Sequence, residues 1–193
     1  MANVGYIIGS ISSKSINRKL VDGLIALSQE SSANKQQPLT FTELVISDLP
    51  MYNHDGDKDF PAEARRFKDE IRGSDALLIA TPEYNRSIPG VLKNAIDWAS
   101  RPYGDNAFRG RPTGILGASP GAIGTANAQQ HLRNILAYLD APTMGQPEGF
   151  IQFTKERFSA DGTVIDADTK KFLTNWTNVF RDWIENFAPP KAA

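Results

Sequence analysis

The chain has 193 residues, of which 40% are hydrophobic and 22% charged, and its formal net charge at pH 7 is -1. This length predicts one domain over residues 1–193 with a flexible tail at 189–193, and the balanced charge gives no support to a nucleic-acid or membrane partner. With no cysteine and two histidines, the sequence excludes disulfides, cysteine nucleophiles, and metal sites built on cysteine or three histidines, so no metal is expected. It shows neither a signal peptide nor an apolar run of membrane-spanning length, which predicts a cytoplasmic protein.

Short apolar runs alternate with helical patterns along the chain. The runs are typical of strands buried on both faces. They cover residues 4–8, 41–46, 76–80, 113–117 and 149–153. Apolar residues at three- and four-residue spacing predict amphipathic helices. These cover residues 17–28, 61–72, 88–99, 127–139 and 170–187, and a polar loop is expected at 29–38. The alternation predicts a five-stranded parallel sheet with helices on both faces, a three-layer α/β/α sandwich.

Ligands of such sheets bind beyond the carboxyl ends of the strands, so the loops after the first, third and fourth strands are candidates. The first loop, GSISSKSINR at residues 9–18, offers four hydroxyls, one amide and free backbone N–H groups at a helix start. This donor set suits a phosphate. The loop lacks the second glycine of a Walker A motif and any G-x-G-x-x-G. The alternative is that Ser15 or Asn17 merely caps the helix.

The other two loops have features that suit a flat ligand. Residues 81–90, TPEYNRSIPG, are held between two prolines and present backbone groups in a row, with Tyr84 adding an aromatic ring. Residues 118–125, ASPGAIGT, contain two glycines that permit close approach. Ordinary turns remain the alternative for each loop alone. Together, a phosphate site and two loops around a flat hydrogen-bonding group indicate flavin mononucleotide (FMN).

Three motifs resemble those of the NAD(P)H-dependent FMN reductases of flavodoxin-like fold, a group that includes bacterial chromate and quinone reductases. They are GS....SIN at residues 9–17, TPEYN.SIPGVLKNAIDW at residues 81–98, and SPG..G at residues 119–124 followed by QHLR at residues 130–133. The resemblance extends over nearly the whole chain. It implies the strand order 2-1-3-4-5, a homodimer or homotetramer, and a non-covalent FMN.

The same resemblance implies which residues contact the FMN. The phosphate is assigned to Ser10, Ser12, Ser15, Ile16 through its backbone, and Asn17. The ring is assigned to Pro82, Glu83, Tyr84, Asn85, Arg86 and Ser87, with Ser119 and Gly121 at its far edge. Many relatives carry arginine at the position of Ser12, so the phosphate is expected to meet less direct positive charge here.

The implied activity is electron transfer from NADH or NADPH to small acceptors such as quinones, free flavins, azo compounds or a metal oxyanion such as chromate. The flavin N5 carries the hydride, Tyr84 lines the site, and no catalytic side chain is required. Both substrates would use one ring face in turn, which predicts ping-pong kinetics. The alternatives are a flavodoxin-like electron carrier, which the charge of -1 disfavours, and a hydrolase of nucleotides or phosphosugars. The choice between NADH and NADPH and the physiological acceptor stay open.

Three predictions concern residues outside these loops. Trp98 projects off the apolar stripe of its helix without obvious cover, so we predict that it lies at or beside a subunit interface. Arg101, Arg109 and Arg111 form a basic patch that faces either the cofactor phosphate or solvent. His54 lies in a polar loop and is interpreted as solvated rather than as a metal ligand.

Overall fold

The computed structural model describes residues 1–31 and 38–187, so the predicted tail at 189–193 and most of the polar loop at 29–38 lie outside the described residues. The strands are β1 (Ala2–Ile8), β2 (Leu39–Glu43), β3 (Ala76–Ala80), β4 (Thr113–Ser119) and β5 (Gly149–Gln152). The helices are α1 (Ile16–Ser31), α2 (Ala62–Arg72), α3 (Gly90–Ala99), α4 (Ala126–Tyr138) and α5 (Ala167–Phe187), with a 3-10 turn at His54–Asp57. All strand pairs are parallel in the order β2-β1-β3-β4-β5, which confirms the predicted fold class.

Two separate apolar clusters cover the two faces of the sheet. One cluster packs α1 and α5 against strand residues such as Val4, Leu78 and Leu116. The other packs α2, α3 and α4 against the alternate residues, including Leu77 and Ile79. Because successive side chains of a strand point to opposite faces, the continuous apolar runs of the sequence supply both clusters.

Most element boundaries differ from the sequence prediction by one to three residues, and two of them have a clear physical reason. β2 ends at Glu43 rather than residue 46, although Leu44 and Ile46 are buried. The apolar run at 41–46 therefore indicates burial, and this burial continues beyond the last residue of β2. Helix α3 begins at Gly90 rather than residue 88, since Pro89 is extended (φ -61°, ψ 147°) and the residue before a proline is disfavoured in a helix.

The reason for placing Trp98 at a subunit interface is wrong, because the residue's own chain covers it. Its side chain is 2% exposed and packs edge-on against the rings of Tyr52 and Phe60, with both ring centroids 5.0 Å away. The indole Nε1 donates to the carbonyl of Pro50 at 2.7 Å. Trp98 therefore holds the chain after β2 against α3 and gives no argument for a subunit interface.

The arginine patch lies at the amino end of the sheet, where β4 begins, and so it does not face the candidate cofactor loops. Arg109 pairs with Asp140 at 3.5 Å, and Arg111 donates to the carbonyl of Arg72 at 2.7 Å. The solvent-facing alternative is closer to the structure, since Arg109 remains mostly exposed. Within residues 1–31 and 38–187, every helix is too short or too polar to cross a membrane.

Candidate flavin site

The three candidate loops leave the sheet side by side at its carboxyl edge. The strand ladder continues into them, because Gly9 N donates to Ala80 O at 2.7 Å and Thr81 N donates to Leu116 O at 3.0 Å. A Cβ atom added at Gly117 would lie 2.1 Å from Thr125 Oγ1 and 2.3 Å from Thr81 O. Glycine is therefore required there for the second and third loops to approach each other.

Short-range hydrogen bonds shape the first loop. Ser10 Oγ accepts from the backbone N–H of Ser12, and Ser12 Oγ accepts from that of Lys14, each at 3.2 Å. Ser15 Oγ accepts from Arg18 N at 3.3 Å and so caps the start of α1. Each hydroxyl thus accepts a bond and keeps its own hydrogen for donation. The backbone N–H of Ile16, in the first turn of α1, has no partner within the helix.

The structure gives Asn17 a different role from the predicted phosphate donor. Its side chain is 1% exposed, its Nδ2 donates to Ala118 O at 3.1 Å, and its Oδ1 accepts from Ala118 N at 2.8 Å. The amide therefore ties the start of α1 to β4. This contact joins residues 101 positions apart in the sequence, and nothing in the local pattern of the first loop indicates it.

A network of charged and polar groups adjoins the first loop. The Arg18 guanidinium donates to both carboxylate oxygens of Glu43, at 2.7 and 2.6 Å. These bonds lower the pKa of Glu43, whereas burial raises the pKa of the neighbouring Asp22. Arg18 is thus already paired, and Lys14 is the exposed cation of the loop itself. The expectation that the phosphate meets limited positive charge stays a prediction.

The second loop folds into a two-residue hairpin. Tyr84 and Ser87 exchange two backbone hydrogen bonds, each of 3.0 Å. The residues between them, Asn85 and Arg86, are left-handed, with φ of 53° and 63°. Asparagine tolerates this conformation, whereas it costs free energy at an arginine. Tyr84 remains 56% exposed and so is available to a flat ligand.

The side chains at the two ends of the hairpin face helix α4. The Glu83 carboxylate accepts from Asn127 Nδ2 at 3.0 Å and from Ala128 N at 3.1 Å. At the other end, Ser87 Oγ lies 3.0 Å from His131 Nδ1. Glu83 was predicted to line the ring, yet its carboxylate is engaged by α4. Asn127 was not singled out from the sequence.

The third loop is held by β5 and leaves space above its glycine. Ser119 O accepts from Phe153 N at 2.9 Å, and Ser119 Oγ donates to Gly121 O at 2.9 Å. The nearest atom to a Cβ added at Gly121 would be Ser119 Oγ, at 3.9 Å. Gly121 therefore offers an open approach. Gly124 is needed for its left-handed φ of 56°.

The donors of this edge fit the two ends of an FMN. Serine hydroxyls and the first turn of α1 match a phosphate, while the exposed hairpin and the open Gly121 match a flat ring. The ring contacts of Pro82, Tyr84, Asn85, Arg86, Ser87 and Ser119 stay predictions. The Glu83 carboxylate bonds to α4, and the Asn17 amide, which was predicted at the phosphate, bonds to Ala118.

Comparison with known proteins supplies independent information. A family model described as NADPH-dependent FMN reductase matches residues 2–156. A 2-hydroxy-1,4-benzoquinone reductase from a Burkholderia species is 44% identical over 183 residues, covering 95% of this chain and 96% of that protein. A quinone reductase from Pseudomonas putida is 42% identical over 184 residues, covering 95% of each chain.

The comparison of structures agrees. The flavoenzyme NAD(P)H:(acceptor) oxidoreductase FerB from Paracoccus denitrificans superposes with a TM-score of 0.88 at 45% sequence identity, covering 97% of this chain and 99% of that one. A family match over most of the chain, together with relatives above 40% identity, establishes an oxidoreductase whose family uses FMN and NAD(P)H. The chain belongs to the NADPH-dependent FMN reductase family.

Proposed function

We propose that this chain is an FMN-dependent NAD(P)H oxidoreductase that reduces quinones at the carboxyl edge of its sheet. The observation that carries the proposal is that serine donors before and at the start of α1 and the exposed hairpin from Tyr84 to Ser87 lie at the same edge of the sheet. Quinones are the favoured acceptors because the Burkholderia and Pseudomonas putida relatives carry them in their names. Free flavins, azo compounds and chromate are further acceptors to test.

The chain's own residues bind and orient the reactants. Ser10, Ser12 and Ser15 would donate hydroxyl hydrogens to the FMN phosphate, together with the N–H of Ile16. The backbone of the hairpin and Tyr84 would hold the ring on one side, with Gly121 at its edge. When bound, FMN supplies the two-electron exchange between nicotinamide and acceptor. Because the same loops would present one ring face to both substrates, we propose that they bind in turn.

The test is an absorption spectrum of the purified protein followed by steady-state kinetics. We expect a flavin spectrum, oxidation of NADH or NADPH with 1,4-benzoquinone, and parallel lines in double-reciprocal plots at several quinone concentrations. Intersecting lines would contradict alternate use of one face. A flavin-loaded protein that fails to oxidise either nicotinamide would instead be an electron carrier. A protein that neither contains nor takes up flavin would favour the hydrolase alternative.

We also propose a cytoplasmic homodimer or homotetramer, on the resemblance to the family alone. Light scattering at micromolar concentration should then give at least twice the 21.2 kDa mass of one chain. A monomer under these conditions would contradict the proposed assembly.

A further inference from the structure

The N-terminus of α4 is capped from a distant part of the chain. Thr125, which precedes the helix, has a left-handed φ of 67° and makes no side-chain capping bond. The Glu83 carboxylate takes its place, accepting from Asn127 Nδ2 and Ala128 N although it lies 44 residues or more away in the sequence. A carboxylate at this position also matches the positive end of the helix dipole. Glu83 and α4 therefore form one structural unit.

A second contact holds the other end of the hairpin to the same helix. Ser87 Oγ lies within hydrogen-bond distance of His131 Nδ1, at 3.0 Å. Asn127 and His131 are four residues apart and so share one face of α4. The hairpin from Glu83 to Ser87 thus lies along the first two turns of the helix. Its left-handed Asn85 and Arg86 need such support, because strained backbone persists only when its surroundings hold it.

The third loop leads directly into this helix. Gly124 N donates to Gly121 O at 3.3 Å, and Gln129 Nε2 donates to Thr125 Oγ1 at 3.0 Å, so the loop and the first turn of α4 are bonded to each other. Gly121 is therefore linked through this turn to the start of α4. Because Glu83 accepts hydrogen bonds from the start of α4, it connects the hairpin to the third loop. The proposed function places these two loops on either side of the flavin ring.

We propose that Glu83 is a positioning residue that fixes the spacing between the hairpin and the third loop, acting through the N-terminus of α4. The inference rests on the proposed function, since the spacing matters only if a flavin ring lies between the two loops. The length of the glutamate side chain is then the critical property, more than its charge.

The test compares FMN and riboflavin binding to the apoprotein by quenching of flavin fluorescence. In Glu83→Ala, both flavins should bind about tenfold or more weakly, and by the same factor, because the ring site is altered and the phosphate site is not. A tenfold loss is about the net contribution of one ordinary hydrogen bond. The Ser15→Ala variant is the matched control, since it should weaken FMN alone.

Two conservative variants separate spacing from capping. Glu83→Gln keeps the side-chain length and can still accept from Ala128 N, while the Asn127 amide can rotate to meet it. Glu83→Asp keeps the charge but is one methylene shorter. We expect Glu83→Gln to bind both flavins within about threefold of the wild type, and Glu83→Asp to bind them nearly as weakly as Glu83→Ala. Thermal unfolding of each apoprotein reports the capping contribution separately.

The reverse order would overturn the inference: if Glu83→Asp restored flavin affinity and Glu83→Gln did not, the charge at the helix terminus would be what matters. Unchanged affinities in Glu83→Ala would also overturn it, while leaving the proposed function intact. Affinities that merely follow the unfolding temperature across the three variants would show a role in stability alone. A wild-type protein that bound neither flavin would overturn the proposed function, and this inference with it.

Discussion

The first loop and the hairpin of the second loop are held in opposite ways. In the first loop, Ser10, Ser12 and Ser15 accept bonds from backbone groups two or three residues away. The hairpin, by contrast, is anchored through Glu83 and Ser87 to α4, at a sequence separation of 44 residues. A loop built from local bonds can lose one side chain without moving its neighbours. A loop anchored at a distance transmits the loss to the helix that holds it.

Asn17 is the exception within the first loop, because its side chain bonds to a residue far away in the sequence, and its loss should have the largest effect. Asn17→Ala would leave the N–H and C=O of Ala118 without their partner in a buried position. We expect a loss of about 3 kcal/mol in the free energy of unfolding. For a chain of this size that lowers the unfolding temperature by roughly 10 °C. Because α1 and β4 carry the loops on either side, FMN and riboflavin affinity should both fall.

Asn94→Ala is the matched control for that prediction. The Asn94 side chain is buried too, with Oδ1 accepting from Tyr52 N at 2.8 Å and Nδ2 donating to Pro50 O at 2.9 Å. It therefore loses two comparable bonds, but on the chain after β2 rather than between α1 and β4. Denaturant unfolding should give similar losses for the two variants, with flavin affinity reduced mainly in Asn17→Ala. Equal flavin losses would contradict a specific role for the Asn17 tie.

Ser15→Ala should reduce FMN affinity more than it reduces the stability of the fold. Removing the hydroxyl takes away the cap of α1, worth about 1 kcal/mol of stability. It also removes one proposed charge-assisted bond to the phosphate, worth roughly 1.5–3 kcal/mol, or about one to two decades in FMN affinity. Titration of the apoprotein should show riboflavin binding almost unchanged. A wild type that bound FMN and riboflavin equally well would mean that this loop is only a helix cap.

The smallest expected effect concerns the Arg18–Glu43 pair beside the first loop. The hydrogen bonds from Arg18 lower the pKa of Glu43, so its contribution to stability is present above the ordinary pKa of glutamate and is lost as pH falls through the lowered value. Glu43→Gln should therefore flatten the acid side of the stability curve, by at most about 1 kcal/mol because the pair is partly exposed. Urea unfolding at several pH values between neutral and acid would measure this.

Asp22→Asn is the control with the opposite sign. Burial raises the pKa of Asp22, so the folded state takes up this proton before the unfolded state does as pH falls. Protonation of Asp22 therefore increases the free energy of unfolding as pH falls through the raised value. Its removal should steepen the acid loss that Glu43→Gln flattens. Identical stability profiles against pH in the two variants would show that Arg18, Glu43 and Asp22 do not determine how stability is lost at acid pH.

Local patterns in the sequence were sufficient for the architecture. Short apolar runs alternating with amphipathic segments predicted the five strands, the five helices and the parallel sheet with helices on both faces. They did so because the burial of a strand or helix face fixes the spacing of apolar residues along the sequence. The same patterns led to the three loops at the carboxyl edge. Those loops already indicated FMN, whereas the strand order came from the resemblance of the motifs at 9–17, 81–98 and 119–124 to a family.

Tertiary structure alone decided what the individual side chains do. Asn17 and Glu83 are polar residues in ligand-facing loops, and sequence reasoning assigned both to the flavin, yet their partners are Ala118 and the start of α4. Trp98 looked uncovered because the residues that cover it, Tyr52 and Phe60, lie some forty positions earlier. The physical reason is the same in each case. Hydrogen bonds and ring contacts depend on distances that arise only when separate elements pack, whereas the periodicity of burial is written within each element.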